Sequence, residues 1–346
     1  MEILWLCLVS ALLAGYVVLD GFDLGAGVVS LLIARGDDEK RIILRSIGPV
    51  WDGNEVWLLA AGGTIFFAFP QLYASSFSGF YLPLMIVLWL LILRGIAIEF
   101  RNHLDSPTWT PLWDFVFAAA SALLAFLFGA ALGNVVRGVP LDASGDFFLP
   151  LWTNFQPGRE PGILDWYTVL AGLFAFAALT LHGALWIHLK TEGGLQARAR
   201  RLAGRSAVAV LILLAPLTGL TFVVQVRVLE NFAQHPWGFL FPAFALAGLA
   251  VAFRGLRRGE EQNAFLGSAV FLAGMLASVV FGVFPCVLPS SGPPEFALTV
   301  YNAKAPDYGL TAALGWWIPG ISLALAYTVF VYRKFAGKVR AGEGGH

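Results

Sequence analysis

The sequence predicts an all-α, polytopic integral membrane protein of about nine transmembrane helices, with its N-terminus outside and its C-terminus inside. Three observations carry this. Of 346 residues, 58% are hydrophobic and only 13% charged, with a mean hydropathy of +0.75, too few charges to cover a soluble protein of this size. Apolar runs of roughly twenty residues recur along the chain, each long enough to cross about 30 Å of hydrocarbon. Lys and Arg are sorted to alternate inter-span segments. The net charge of zero and pI of about 7.0 exclude the basic face a nucleic-acid binder needs.

The spans fall at 3–34, 50–69, 77–101, 112–136, 163–189, 203–226, 237–257, 263–288 and 309–335. The first lacks a basic n-region and outruns a signal peptide, so it is expected to be kept as a helix. Pro49 and Pro70 punctuate the second, the shortest. Gln225, Arg227 and Glu230 interrupt the stretch between the sixth and seventh. The longest connection, 137–162, is rich in Pro, Gly and Asp. The whole is expected to be a single membrane domain over 1–346, with one four-helix bundle over 1–136, a second over 163–288, and a ninth helix at 309–335. Trp and Tyr near span ends form an interfacial belt.

Orientation follows from the basic residues. On one side lie Arg35, Lys40, Arg41 and Arg45; Arg94 and Arg101; Lys190, Arg198, Arg200, Arg201 and Arg205; Arg254, Arg257 and Arg258; and Arg333, Lys334, Lys338 and Arg340. The other side has Arg137, Arg159, Arg227 and Lys304. That is eighteen against four of the 22 basic residues, which places the richer side in the cytoplasm and requires an odd number of spans.

Ionisable residues inside spans are costly and are therefore functional candidates. Asp20 and Asp23 are three apart on one helix face, with Asp23 roughly 15 Å from the inner boundary. Gly15, Gly21, Gly25 and Gly27 allow a second helix to approach closely, so a polar packing seam is the alternative. Asp52 and Glu55 open span two from the cytoplasmic side, bracketed by Trp51 and Trp57. Asp52 also suits a helix cap. Arg94 lies deep in span three, with Glu99, Arg101 and His103 nearer its end. It either snorkels or is the counter-ion of these acids. The depths of Asp52, Glu55, Asp23 and Asp20 fit a ladder of acids from surface to mid-membrane, as in proton routes; depth alone does not set whether they face one another.

Of five histidines, His103, His182, His188, His235 and His346, only His182 is clearly within a span. Met85 and Met275 show no spacing that recommends either as its axial partner, so the chain is expected to bind no haem. His182 reads as a satisfied core histidine. Cys7 and Cys286 are too few for a metal site or a disulfide framework and read as free thiols.

Several segments resemble subunit II of the cytochrome bd-type quinol oxidases. They are Leu19-Asp-Gly-Phe-Asp-Leu-Gly25, Gly48-Pro-Val-Trp-Asp-Gly-Asn-Glu-Val-Trp57, Phe77-Ser-Gly-Phe-Tyr-Leu-Pro83, Leu93-Arg-Gly-Ile-Ala-Ile-Glu-Phe-Arg101, His182 to Gly193, and Phe284 to Ser291. The resemblance covers nearly the whole chain. It implies a subunit of a bacterial respiratory oxidase in the cytoplasmic (inner) membrane that oxidises quinol and reduces O₂ to water. The partner, subunit I, would ligate haems b and d and bind the quinol. This chain would carry no haem and no metal, and would assist assembly. The resemblance leaves room for small single-helix accessory subunits and a structural quinone among its partners, besides membrane lipid. It implies a cytoplasmic proton pathway along the subunit interface, with Asp52, Asp20, Asp23 and Arg94 at matching positions, Glu99 where an acid also occurs in relatives, and Glu55 beside Asp52. The connection between spans six and seven is shorter than in some relatives. The alternatives are a secondary transporter with a carboxylate ion site, against which stands the lack of an evident inverted repeat, and a pure assembly scaffold.

Overall fold

A computed structural model describes residues 1–104, 106–158 and 160–339. Arg159, Arg340 and His346, used above for orientation and the histidine count, lie outside the described residues. In chain order the helices are α1 Glu2–Ile33, α2 Asp37–Ile47, α3 Trp51–Ala68, α4 Pro70–Gly79, α5 Tyr81–Phe100, α6 Trp109–Arg137, α7 Trp166–Lys190, α8 Gly193–Val224, α9 Val226–Gln234, α10 Leu240–Arg258, α11 Glu261–Val283 and α12 Asp307–Lys334. Among the described residues, eight helices are long and apolar enough to cross a membrane by themselves: α1, α5, α6, α7, α8, α10 with its leading 3-10 turn, α11 and α12. The bent pair α3–α4 makes nine if it counts as one span.

The differences from the expected spans have local causes. Span two does not simply end at Pro70. The chain turns by 119° there and continues as α4, because proline lacks an N–H, restricts the residue before it and suits a first helical turn. Residues 77–79, expected in span three, therefore belong to α4. The sixth span starts ten residues earlier than expected, at Gly193. Arg198, Arg200 and Arg201 sit on helix, not in a loop, and only Thr191 and Glu192 separate α7 from α8. The eighth span stops at Val283, and Cys286–Leu288 instead pairs antiparallel with Leu298–Thr299 in a two-stranded ladder. The basic stretch after span one is itself a helix, α2, with charge on one side and Ile43, Leu44 and Ile47 buried on the other.

Contacts between helix ends sort the bundle into two poles. At the pole carrying most basic residues, Arg198 bonds the Ile33 carbonyl and Glu39, Arg200 bonds the Leu256 carbonyl, and Lys338 pairs with Glu261. At the other pole, Trp5 donates to the Leu310 carbonyl, Lys304 lies 3.4 Å from Glu2, and Gln225 donates to the Val136 carbonyl. There too, Arg137 pairs with Asp165, whose carboxylate caps α7 in a reciprocal box with Thr168.

The centre of the bundle is the α1–α7 seam. A Cβ added to Gly25 would lie 2.1 Å from the Leu179 carbonyl oxygen, and one added to Gly183 would lie 2.2 Å from the Gly25 carbonyl carbon. The two backbones touch, as glycine permits in membrane helix pairs. Gly248 and Gly267 do the same for α10 and α11. Phe22, one turn from Gly25, stacks on Trp186 with ring centroids 4.0 Å apart. This fixed seam holds the buried face of α1, residues 20–30, against the rest of the protein.

Candidate functional site

Four helices separated widely in sequence bring polar groups to one buried point. Asp20 and Asp23 on α1 and Arg94 on α5 are each at most 1% exposed. Arg94 Nη2 donates to Glu55 Oε2 at 2.8 Å. Its Nη1 lies 2.8 Å from Asp20 Oδ1, an ion-pair distance, although the two are not aligned as a hydrogen bond. Arg94 is therefore a counter-ion; it does not snorkel. Asn54 on α3 donates to Asp23 Oδ2 at 2.7 Å and to the Leu19 carbonyl at 3.2 Å, and accepts from the Tyr332 hydroxyl of α12 at 2.8 Å. Among the described residues, Asp23 Oδ1 and the Tyr16 hydroxyl are buried without a hydrogen-bond partner.

The cluster thus holds three carboxyls and one guanidinium. Uncompensated charge is costly at such depth, so a set with more acids than cations can retain a proton among its members and exchange it. Of the candidates singled out in the sequence, Asp20, Asp23, Glu55 and Arg94 lie in this cluster. Asp52 and Glu99 do not join them. Asp52 is exposed in the first turn of α3, one turn before Glu55, and its side chain makes no hydrogen bond or ion pair among the described residues. Glu99 is exposed near the end of α5 with no ion pair among the described residues. Near the basic pole, Tyr332 also lines a cavity of ≈ 80 Å³ with Ser46, Trp186 and Lys190, enough for one or two waters.

Sequence reasoning passed over three further polar positions. Asn54 is a buried amide inside the quoted motif, and its burial in a span was the available signal. Tyr332 carries no signal in the sequence, because its role depends on α12 folding back onto α3. Asp114 lies within span four and falls under the same rule that selected Asp20. It binds Arg101 Nε at 2.5 Å, while Arg101 Nη2 reaches Asp37 at 2.5 Å and Lys40 reaches Asp114 at 2.9 Å. This second cluster ties α2 to α5 and α6.

His182 is fully buried. Its Nε2 donates to the Val18 carbonyl at 2.9 Å, which leaves Nδ1 to face the Ser268 hydroxyl at 2.6 Å. Both ring nitrogens are occupied by the protein. Among the described residues no group of three or more His, Cys, Asp or Glu could hold a metal ion, and Cys7 and Cys286 are free thiols.

Residues 1–335 match the family described as cytochrome bd terminal oxidase subunit II. The chain is 33% identical to a probable cytochrome oxidase subunit 2 of Haemophilus influenzae, covering 99% of this chain and 96% of that one. It is 30% identical to the cytochrome bd-I ubiquinol oxidase subunit 2 of Escherichia coli K12, covering 98% and 95%, and 32% identical to the cytochrome bd ubiquinol oxidase subunit 2 of Bacillus subtilis, covering 96% and 95%. A solved bd oxidase from Geobacillus thermodenitrificans shares the fold, with a TM-score of 0.75 at 19% identity over 96% of this chain and 98% of that one. On the match over nearly its whole length, the chain belongs to the cytochrome bd terminal oxidase subunit II family.

Proposed function

We propose that this chain, as subunit II of a quinol oxidase in the bacterial inner membrane, pairs with a haem-bearing subunit I and supplies it with protons from the cytoplasm. In this reading the basic pole is the cytoplasmic one, with the N-terminus outside and the C-terminus inside, which the sorting of Lys and Arg supports. Haems b and d and quinol oxidation belong to subunit I; a structural quinone and single-helix accessory subunits are compatible with this chain. Family membership gives the transporter reading no support.

The observation that carries the proposal is the buried excess of acid around Arg94. Reduction of O₂ to water consumes protons, and a buried oxygen site receives them through protein. Asp52 is the exposed mouth. Glu55 follows one turn deeper, bound to Arg94, and Asp20 and Asp23 form the inner end. A carboxyl on this path can bind and release a proton; an amide of the same shape cannot. Asn caps a helix about as well as Asp, and an Asn at position 23 can still accept from Asn54.

The test is therefore Asp52→Asn and Asp23→Asn in the assembled complex. Each variant should keep full haem content and lose at least tenfold in quinol oxidase rate. Assembled complexes with wild-type turnover from pH 6 to 8 would falsify the pathway and favour a scaffold.

A further inference from the structure

At the basic pole, the end of α10 forms the wall of an open cleft of ≈ 400 Å³ lined by Ala250, Phe253, Arg254, Arg257 and Arg258. The three arginines are spaced i, i+3, i+4 and so crowd one side of the helix. Neighbouring basic side chains at this pole are already engaged: Arg198 by Glu39, Lys338 by Glu261, and Lys190 by the carbonyls of Phe335 and Gly337. In contrast, the guanidiniums of Arg254 and Arg257 make no hydrogen bond or ion pair among the described residues. Arg258 reaches only Glu260, at 3.9 Å.

The same helix supplies an apolar continuation. Leu240, Phe244, Ala247 and Val251 are all exposed, and their spacing of four, three and four residues puts them in one row that Arg254 and Arg258 extend. From Leu240 to Val251 the row is about 16 Å long at 1.5 Å per residue, close to half of a ~30 Å hydrocarbon core. A cationic cleft at the membrane surface thus meets an apolar strip one leaflet deep.

We propose that α10 carries a binding site for one anionic phospholipid, its phosphate held by Arg254, Arg257 and Arg258 and an acyl chain laid along the row ending at Val251. Guanidinium groups bind phosphate through paired N–H donors. Among the described residues the one carboxylate paired with any of the three guanidiniums is Glu260, 3.9 Å from Arg258, and this excess of positive charge favours a headgroup of net negative charge over one that brings its own cation. The apolar row favours a lipid over free phosphate. This site is independent of the proton pathway, since it shares no residue with the buried acids.

The experiment uses the purified, haem-loaded complex, stripped of lipid by detergent exchange and titrated with phosphatidylglycerol, with phosphatidylcholine in parallel. Native mass spectrometry reads bound lipid. The wild type should prefer phosphatidylglycerol at least tenfold at one site. An Arg254→Gln/Arg257→Gln/Arg258→Gln variant should lose that preference, and the Lys counterparts should keep most of it. Arg201→Gln/Arg205→Gln, which removes two exposed charges at the same pole, should bind as the wild type does. Should the triple variant fail to assemble, Arg254→Gln and Arg257→Gln singly should each weaken retention severalfold. An undiminished preference in the glutamine variants would overturn the site. So would equal binding of phosphatidylcholine, full competition by inorganic phosphate, or a polypeptide cross-linked over α10 in place of lipid.

Discussion

Replacing Arg94 by Gln keeps a polar side chain of moderate length but removes the cation from the buried acid cluster. Asp20 is then left fully buried opposite a neutral amide. Removing one partner of a buried ion pair costs about 3–5 kcal/mol, because the other charge stays desolvated. Glu55 is stranded less severely, since its side chain is 23% exposed in this chain and is not enclosed as Asp20 is. The two acids should therefore differ as suppressors. Asp20→Asn added to Arg94→Gln should restore most of the loss, leaving about 1 kcal/mol for the hydrogen bond to Glu55 that is not regained. Glu55→Gln in the same background should restore less than half. Thermal unfolding of the purified complex, followed by loss of its native haem absorbance, reads this out. At ~2 °C per kcal/mol for a chain of this size, the single variant should melt roughly 6–10 °C early. A single variant within a degree or two of wild type, or equal rescue by the two acid variants, would refute the assignment of Asp20 as the principal counter-charge.

Three further outcomes are expected. Burial pushes the carboxyls of Asp37 and Glu39 up, but hydrogen bonds and charge from Arg101 and Arg41 on the first, and from Arg198 on the second, outweigh it and hold both below the ordinary value. A depressed folded-state value contributes stability that is complete above the unfolded value and is lost as pH falls through the folded one. Amide-exchange protection of α2, corrected for intrinsic rates, should thus be flat from pH 8 to about 5 and fall only below about pH 4; in Asp37→Asn/Glu39→Gln it should be lower throughout and lack that step. His182→Ala should leave the haem spectrum of the complex unchanged while lowering its stability by about 1–3 kcal/mol, because the Val18 carbonyl loses its buried donor; loss of a haem signal would reverse the reading of this residue. A fluorescent protein that matures only in the cytoplasm should glow when fused to the C-terminus, and a dark but stably inserted fusion would invert the orientation.

Most of the architecture is written in the sequence, because a bilayer demands long apolar helices and penalises everything else. What local pattern could not give was where a helix bends or stops. The α3–α4 bend needs Pro70 to act in the middle of apolar sequence, where it reads equally well as a simple end. The extension of α8 back to Gly193 runs through Arg198, Arg200 and Arg201, which hydropathy assigns to a loop, although Arg is a good helix former. The site was legible in part for the same energetic reason. Asp20, Asp23 and Arg94 are conspicuous inside apolar runs, whereas the choice between a snorkelling and a pairing arginine turns on which helices are neighbours. Asn54 and Tyr332 bond across 278 residues of sequence, and no spacing rule reaches that far.

The distance from Asp20 to Tyr332 also has a consequence for biosynthesis. Asp20 on α1 leaves the ribosome 74 residues before Arg94 and 312 residues before Tyr332. At ~5–20 residues per second, Asp20 waits roughly 4–15 s for its counter-ion and roughly 15–60 s for the last helix that closes the cluster. During that interval α1 is held in the membrane by its apolar length alone, against about 2.5–3.5 kcal/mol for each acid near the bilayer centre. The chain inserts these costly groups ahead of their counter-ion and neutralises them later, so the cell's insertion machinery meets α1 while its acids are still unpaired.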